Sequence, residues 1–290
     1  MEILEINLDD TAYPDLLKQI ADPPERLFVW GNPEVLSANA LAIVGSRKPS
    51  DYGIRVAAHL ARGLSPYFVI VSGLAYGIDT VALQEAVESG GIVAAVIGSG
   101  LDRASFYPAS NWQLATKIVA AGGAVISEYP NGTPPMKHHF PARNRIIAGL
   151  AKGVIIVEAA EKSGALITAD LALQFNREVL AVAGSLFAPQ AVGPNRMIKE
   201  GAQIITSIQD VLDTFGVAPA ASQIQLNLDL SPEEWTIINI LNGKLEGVSI
   251  NELTNLVQLD TQKVSSTLTL MEIKGVVKHI GAGKFTCLIS

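Results

Sequence analysis

Residues 41–79 read LAIVGSRKPSDYGIRVAAHLARGLSPYFVIVSGLAYGID. A β-branched run, LAIVGS (41–46), passes through Arg47 into an amphipathic stretch headed by Ser50 and Asp51, then returns to a second run, YFVIVSG (67–73). Short apolar runs joined by a segment of helix length have the rhythm of a βαβ unit. That rhythm continues outward through IVAAVIGSG (92–100), GAVISE (123–128), GVIIVEA (153–159), VLAVAG (179–184) and AQIITS (202–207). The intervening helices are expected at 51–64, 77–89, 110–121, 142–151, 164–176 and 194–200. Strands this uniformly apolar are buried on both faces, as in a parallel sheet covered by helices. The predicted fold is therefore α/β, a doubly wound, mostly parallel Rossmann-like sheet over residues 40–216.

Residues 1–39 precede this domain as a short N-terminal arm, and the uncharged stretch VAPAASQIQ (217–225) opens a linker expected to run to 229. Beyond it, Ser231 as N-cap and Pro232 at the first helical position start a helix. Two more amphipathic segments, 249–257 and 261–275, and a hairpin turning at Gly281 to Gly283 follow, the pattern of a winged helix over 230–290.

With 49% apolar and 17% charged residues in 290, the composition is that of a globular chain, not a disordered or coiled-coil one. The longest uncharged stretch, Val179 to Asn195, is broken by Gly184, Pro189 and Gly193, so no membrane span is expected. The acidic start MEILEINLDD lacks the basic residues of a leader, and the expected location is the cytoplasm. Cys287 is the single cysteine, which excludes an intramolecular disulfide and a cysteine-based zinc site.

A net charge of −7 conceals an uneven distribution: residues 1–39 carry 2 basic and 8 acidic side chains, residues 40–216 carry 14 and 13. Within the latter, Lys137-His-His-Phe-Pro-Ala-Arg-Asn-Arg145 holds three cations and no acid. Lys137 can grip a phosphate and Phe140 stack on a base. Arg143, Asn144 and Arg145 open the helix that follows, and the two arginines either join that surface or pair with carboxylates such as Glu128 and Glu158.

Ligands in an open parallel sheet bind at the carboxyl ends of the strands. There, Gly45, Ser46 and Arg47 lead into a helix and present backbone N–H groups and a guanidinium to an anion. Ser72 and Gly73 open a second strand-to-helix loop, which Asp79 is expected to hold through backbone N–H groups. Lys162, Ser163, Gly164 and Thr168 follow Glu158 as a phosphate cradle. Arg103 breaks the dinucleotide fingerprint begun by Gly98 and Gly100, and no GxxxxGK[ST] or GxSxG string occurs. His138 and His139 have no metal-ligand spacing to other ligands. No cofactor is implied.

Six ordered motifs carry a family resemblance: GSR (45–47), SGLAYGID (72–79), GSGLDRASFYP (98–108), SEYPNGTPP (127–135), HFPARNRIIAGL (139–150) and EAAEKSGALITA (158–169). Together with YPDLLKQIADPPERLFVWGN (13–32), they resemble the DNA-processing protein A family (DprA, also called Smf) over about residues 11–290. The resemblance implies a non-catalytic single-stranded DNA-binding protein that protects incoming DNA and loads RecA recombinase in natural transformation, as a homodimer. The helix at 164–176 and LFAPQAVG (186–193) are apolar enough to supply the dimer surface, or else belong to the core. Leu83 stands where the family usually has histidine, Ala183-Gly184 replaces Pro-Gly, and the N-terminal helical domain of longer members is reduced to the arm.

The same Rossmann variant also resembles nucleotide phosphoribohydrolases, which would make the chain an enzyme. The slot for their PGGxGTxxE loop reads SGALITADLAL here, without the acid. A duplex-binding winged helix is a third reading, for which 261–275 supplies few cations, Lys263 and Lys274; a protein-interaction module is the alternative.

Overall fold

The computed structural model describes residues 2–218, 230–242, 244, 247–257, 259–281 and 283–288. The chain divides into two units, Met1–Pro219 and Ala220–Ser290.

The seven expected strands are present in the first unit: β3 (Ala40–Val44), β4 (Val69–Ser72), β5 (Val93–Ile97), β6 (Ala124–Ser127), β7 (Gly153–Ile156), β8 (Glu178–Val182) and β9 (Gln203–Ile205). Before them lie β1 (Leu4–Asn7) and β2 (Arg26–Gly31), and the nine strands form one sheet in the order β1-β2-β6-β5-β4-β3-β7-β8-β9. All pairs from β3 to β9 are parallel, whereas β2 runs antiparallel to both β1 and β6. Residues 1–39 are thus no separate arm. Their strands continue the sheet, and α1 (Asp15–Lys18) sets Leu17 into its core.

Period-two alternation in β3 sends Ala40, Ala42 and Val44 to one face and Leu41 and Ile43 to the other, where separate apolar cores receive them. Leu41, Ile43, Ile70 and Ile155 are fully buried, each worth about 1.5–3 kcal/mol over an exposed side chain. Helices α2 (Asp51–Leu64), α3 (Ile78–Glu88), α4 (Trp112–Ala120) and α8 (Ile208–Thr214) cover the Leu41 face. Helices α1, α5 (His139–Leu150), α6 (Gly164–Gln174) and α7 (Val192–Lys199) cover the other. Leu83 is fully buried in the core under α3, which explains an apolar residue at that position.

The chain runs from β3 outward to β6, then returns to place β7 on the other side of β3. The switch point therefore lies between the carboxyl ends of β3 and β7, where side-by-side loops diverge and leave a crevice.

In the second unit α9 (Pro232–Leu241) begins as its sequence predicts. The Ser231 hydroxyl accepts from the Glu234 N–H (3.2 Å), and the Glu234 carboxylate accepts from the Ser231 N–H (2.7 Å), a closed capping box. Helices α10 (Ile250–Val257) and α11 (Thr261–Ile273) follow β10 (Val248–Ser249), and β11 (Val277–His279) and β12 (Lys284–Cys287) form the expected hairpin. These strands pair in the order β10-β12-β11 over a core of Ile237, Leu241, Leu253, Val264, Leu268 and Phe285. Of the expected linker, Val217 and Ala218 are described and the rest lies outside the described residues.

Candidate functional site

A groove of about 890 Å³ opens at the β3/β7 switch point. Eleven of the fourteen residues singled out in the sequence line it: Gly45, Ser46, Arg47, Lys137, Phe140, Arg143, Asn144, Lys162, Ser163, Gly164 and Thr168. Three helix N-termini meet there, because 45–48 lead into α2, 137–144 begin α5 and 163–165 begin α6. Each N-terminus carries backbone N–H groups and the positive end of a helix dipole, which favours an anion.

The loops are held tightly beneath this surface. Glu158, at the end of β7 and 5% exposed, accepts from both the Ser50 N–H (2.9 Å) and the Ser50 hydroxyl (2.5 Å), while the same hydroxyl caps α2 by accepting from Gly53 N–H. Gly77, with φ of +80°, turns the β4–α3 loop back so closely that a Cβ there would meet Arg47 backbone atoms at 2.9 Å. Asp79 holds that loop as expected, accepting from the Gly73 N–H (3.1 Å). Burial raises its carboxyl above the usual range, against the opposing pull of Arg143.

The two arginines of α5 separate. Arg143, 4% exposed, runs under the loops and donates from Nη1 to the carbonyls of Gly73 (2.5 Å) and Val96 at the ends of β4 and β5. Burial pulls its guanidinium down to about 10, still protonated at neutral pH, with Asp79 favouring the charge. It does not pair with Glu158, whose oxygens Ser50 engages.

Arg145 leaves the groove altogether. It clasps Glu128 (2.9 and 2.5 Å) and reaches Asp22 (3.2 Å), bolting the N-terminal segment to α5. Ser72 is structural as well, its hydroxyl donating to the Ile43 carbonyl at 2.6 Å, and Gly73 lines a smaller adjoining cavity where Arg143 packs on it. Asn144 donates to the Gly164 carbonyl (3.1 Å) and ties α5 to the start of α6.

At the rim stand Arg47, Lys48, Lys137 and Lys162, all exposed and none in an ion pair with a described residue. An uncompensated cation costs nothing in water and is available to an incoming anion. Arg47 lies over the Phe140 ring at 5.4 Å, and Tyr107 packs on Phe140 at 5.5 Å with Tyr76 beyond it at 6.5 Å. The result is an aromatic wall beside a row of cations.

Lys48, Tyr76 and Tyr107 are not among the expected site residues, although the tyrosines lie within the motifs SGLAYGID (72–79) and GSGLDRASFYP (98–108). The signal was an aromatic residue in a strand-end loop, and the contact between 107 and 140 is made only by folding. Among the described residues no cluster of His, Cys, Asp and Glu could hold a metal ion, and no helix is long and apolar enough to cross a membrane.

The family model for DNA recombination-mediator protein A matches residues 5–216. The chain belongs to this family. It is 47% identical over 206 residues to the DNA processing protein DprA of Streptococcus pneumoniae, covering 71% of this chain and 72% of the relative. It is 45% identical over 210 residues to DprA of Bacillus subtilis, covering 72% and 70%. The X-ray structure of the Streptococcus pneumoniae protein superposes with a TM-score of 0.69 at 44% identity, covering 73% of this chain and 74% of that one. DNA processing protein A from Helicobacter pylori, a structure reported for its single-stranded DNA binding mode, superposes with a TM-score of 0.66 at 30% identity, covering 74% and 96%. The family match ends at 216, short of the second unit that the sequence resemblance took in. The sheet from Glu5 of β1 onward and every groove residue fall inside it.

Proposed function

We propose that the switch-point groove binds single-stranded DNA and that the protein is a non-catalytic DNA-processing mediator. The observation that carries this is the set of four cations, Arg47, Lys48, Lys137 and Lys162, none in an ion pair with a described residue, beside the Phe140–Tyr107–Tyr76 wall. Cations spaced along a groove track a phosphate backbone, and exposed rings take unstacked bases without reading their sequence. The Helicobacter pylori relative reported for single-stranded DNA binding supports it. Arg47, Lys137 and Lys162 contact phosphates in this reading, and the backbone of Gly45–Ser46 and Ser163–Gly164 supplies N–H donors.

The acids near the groove support a binding role over catalysis. Glu158 is engaged by Ser50, and Asp79 by the Gly73 N–H, so both serve the loops rather than a substrate. In the second unit, which we read as a winged helix, Lys263 pairs with Glu233 (3.3 Å) and Lys274 with Glu234 (2.7 Å). With those charges neutralised, α11 suits a protein contact better than a duplex.

Anisotropy titrations of the full chain with labelled oligonucleotides test the reading. Single strands bind more tightly than duplex, with affinity falling steeply as salt rises. Phe140→Ala weakens binding by roughly 1–3 kcal/mol through lost stacking. Equal affinity for duplex, or an unchanged Phe140→Ala in a folded variant, would contradict it.

The same reading places the protein in the cytoplasm, as a homodimer that hands its strand to RecA recombinase. Two linked grooves raise the effective concentration on one strand. Leu173, exposed on α6, and Ile204, exposed on β9, supply apolar surface for the pairing. Light scattering over a concentration series is expected to show mass rising toward twice 30.7 kDa. A constant monomer, together with undiminished RecA filament formation on coated DNA, would remove dimerisation from the mechanism.

A further inference from the structure

The loop after β8 presents the most exposed large apolar side chains among the described residues, Leu186 at 88% and Phe187 at 95%. Their exposure is built in. At the base of the loop Asn195 donates to the Gly184 carbonyl (3.0 Å) and accepts from the Gly184 N–H (3.1 Å). Across its tip the Ser185 hydroxyl accepts from Phe187 N–H (3.3 Å) and the Ser185 carbonyl from Ala188 N–H (3.1 Å). On the far side the Gln190 carbonyl accepts from Ala159 N–H (2.7 Å), clipping the loop to the segment that carries Lys162. A turn closed at both ends leaves 186 and 187 no inward path.

The place of this loop in the sheet says what it faces. The strand order β5-β4-β3-β7-β8 sets Tyr107, Tyr76 and Phe140 at one end of the groove and the β8 loop at the other, with Arg47 and Lys162 between them. Pro189 and Gln190, two and three residues past Phe187, line the groove itself. We propose that Phe187 is a second base-stacking residue, at the β8 end of the groove, so that the single strand is held by aromatic contacts at both ends and by cations between. This rests on reading the groove as a single-stranded DNA site and extends that site past the residues that line it. A base suits the tip better than a second copy of the chain does: one ring and one leucine offer a base-sized surface, far below the roughly 800 Å² per partner of a stable interface. The neighbouring Lys162 supplies the charge for the phosphate of the same nucleotide.

Labelled oligothymidylates of about 4 and about 12 nucleotides, titrated into the full chain, separate the two ends of the site. Phe187→Ala lowers affinity for the longer strand roughly 5- to 150-fold, the span of a lost stacking contact, and leaves the shorter one unchanged. Phe187→Trp retains wild-type affinity on both. At 95% exposure the side chain contributes no packing, so the variants fold. Unchanged binding of the longer strand, or equal loss on both, overturns the proposal. So does a fall in light-scattering mass with DNA affinity intact, which assigns the loop to a second copy. If the Arg47→Ala/Lys137→Ala double variant also binds both strands as the wild type does, the groove reading itself fails; if only Phe187→Ala is silent, the groove stands and this extension falls.

Discussion

An Arg143→Met variant loses about 3–5 kcal/mol of stability in the first unit, the cost of breaking a buried charged network by removing one member. Methionine fills much of the same volume, so the loss is electrostatic rather than a cavity effect. Without the guanidinium the carbonyls of Gly73 and Val96 lose their donor at the ends of two central strands. Asp79, whose carboxyl burial already raises, also loses the positive charge that favours its ionised form. Urea denaturation followed by circular dichroism reads the change in midpoint. Adding Asp79→Asn recovers part of the loss, because the double variant no longer buries an unbalanced charge. Arg145→Ala is the internal comparison: its partners Asp22 and Glu128 remain partly or largely in water, so a smaller loss is expected. An Arg143→Met midpoint equal to wild type, with DNA affinity abolished, would show that Arg143 serves the ligand instead of the strand ends.

The Arg47→Ala/Lys137→Ala double variant loses at least about 100-fold in affinity for single-stranded DNA, since charge-assisted hydrogen bonds contribute about 1.5–3 kcal/mol each. The plot of log affinity against log salt flattens by about 1.4, near 0.7 for each phosphate contact removed from a single strand. Both side chains are exposed and neither pairs with a described acid, so thermal unfolding stays at the wild-type temperature. Losing Arg47 also uncovers the Phe140 ring, from which its guanidinium stands 5.4 Å. The salt slope distinguishes this from a stacking defect, because a neutral contact leaves the slope unaltered. A wild-type slope in the double variant would move the phosphate contacts elsewhere.

The parallel sheet was legible in the sequence because strands β3 to β7, buried on both faces, are continuous apolar runs that need no partner to be recognised, and β8 and β9 carry the same rhythm toward the edge. So were the loops at their ends, since glycine, serine and a cation before a helix signal a strand end wherever it lies. Strands β1 and β2 escaped notice. LEIN (4–7) is mostly exposed, and β2 finds its place only by pairing with β6, about a hundred residues later in the chain.

Arg143 and Arg145 show the same limit within one helix. At 100° per residue, two positions apart point to opposite sides of α5, so one arginine had to face inward and the other away. Nothing in HFPARNRIIAGL says which. The tertiary structure decided it by bringing Glu128 from the end of β6 and Asp22 from the N-terminal segment to one side, and the carbonyls of Gly73 and Val96 to the other. Local pattern thus determined the strands, the helix starts and the chemistry of the strand-end loops, because those depend on neighbours in the chain. Which of these cations stay unpaired, and which rings stand beside them, depends on contacts between segments far apart in sequence, which only the folded sheet brings together.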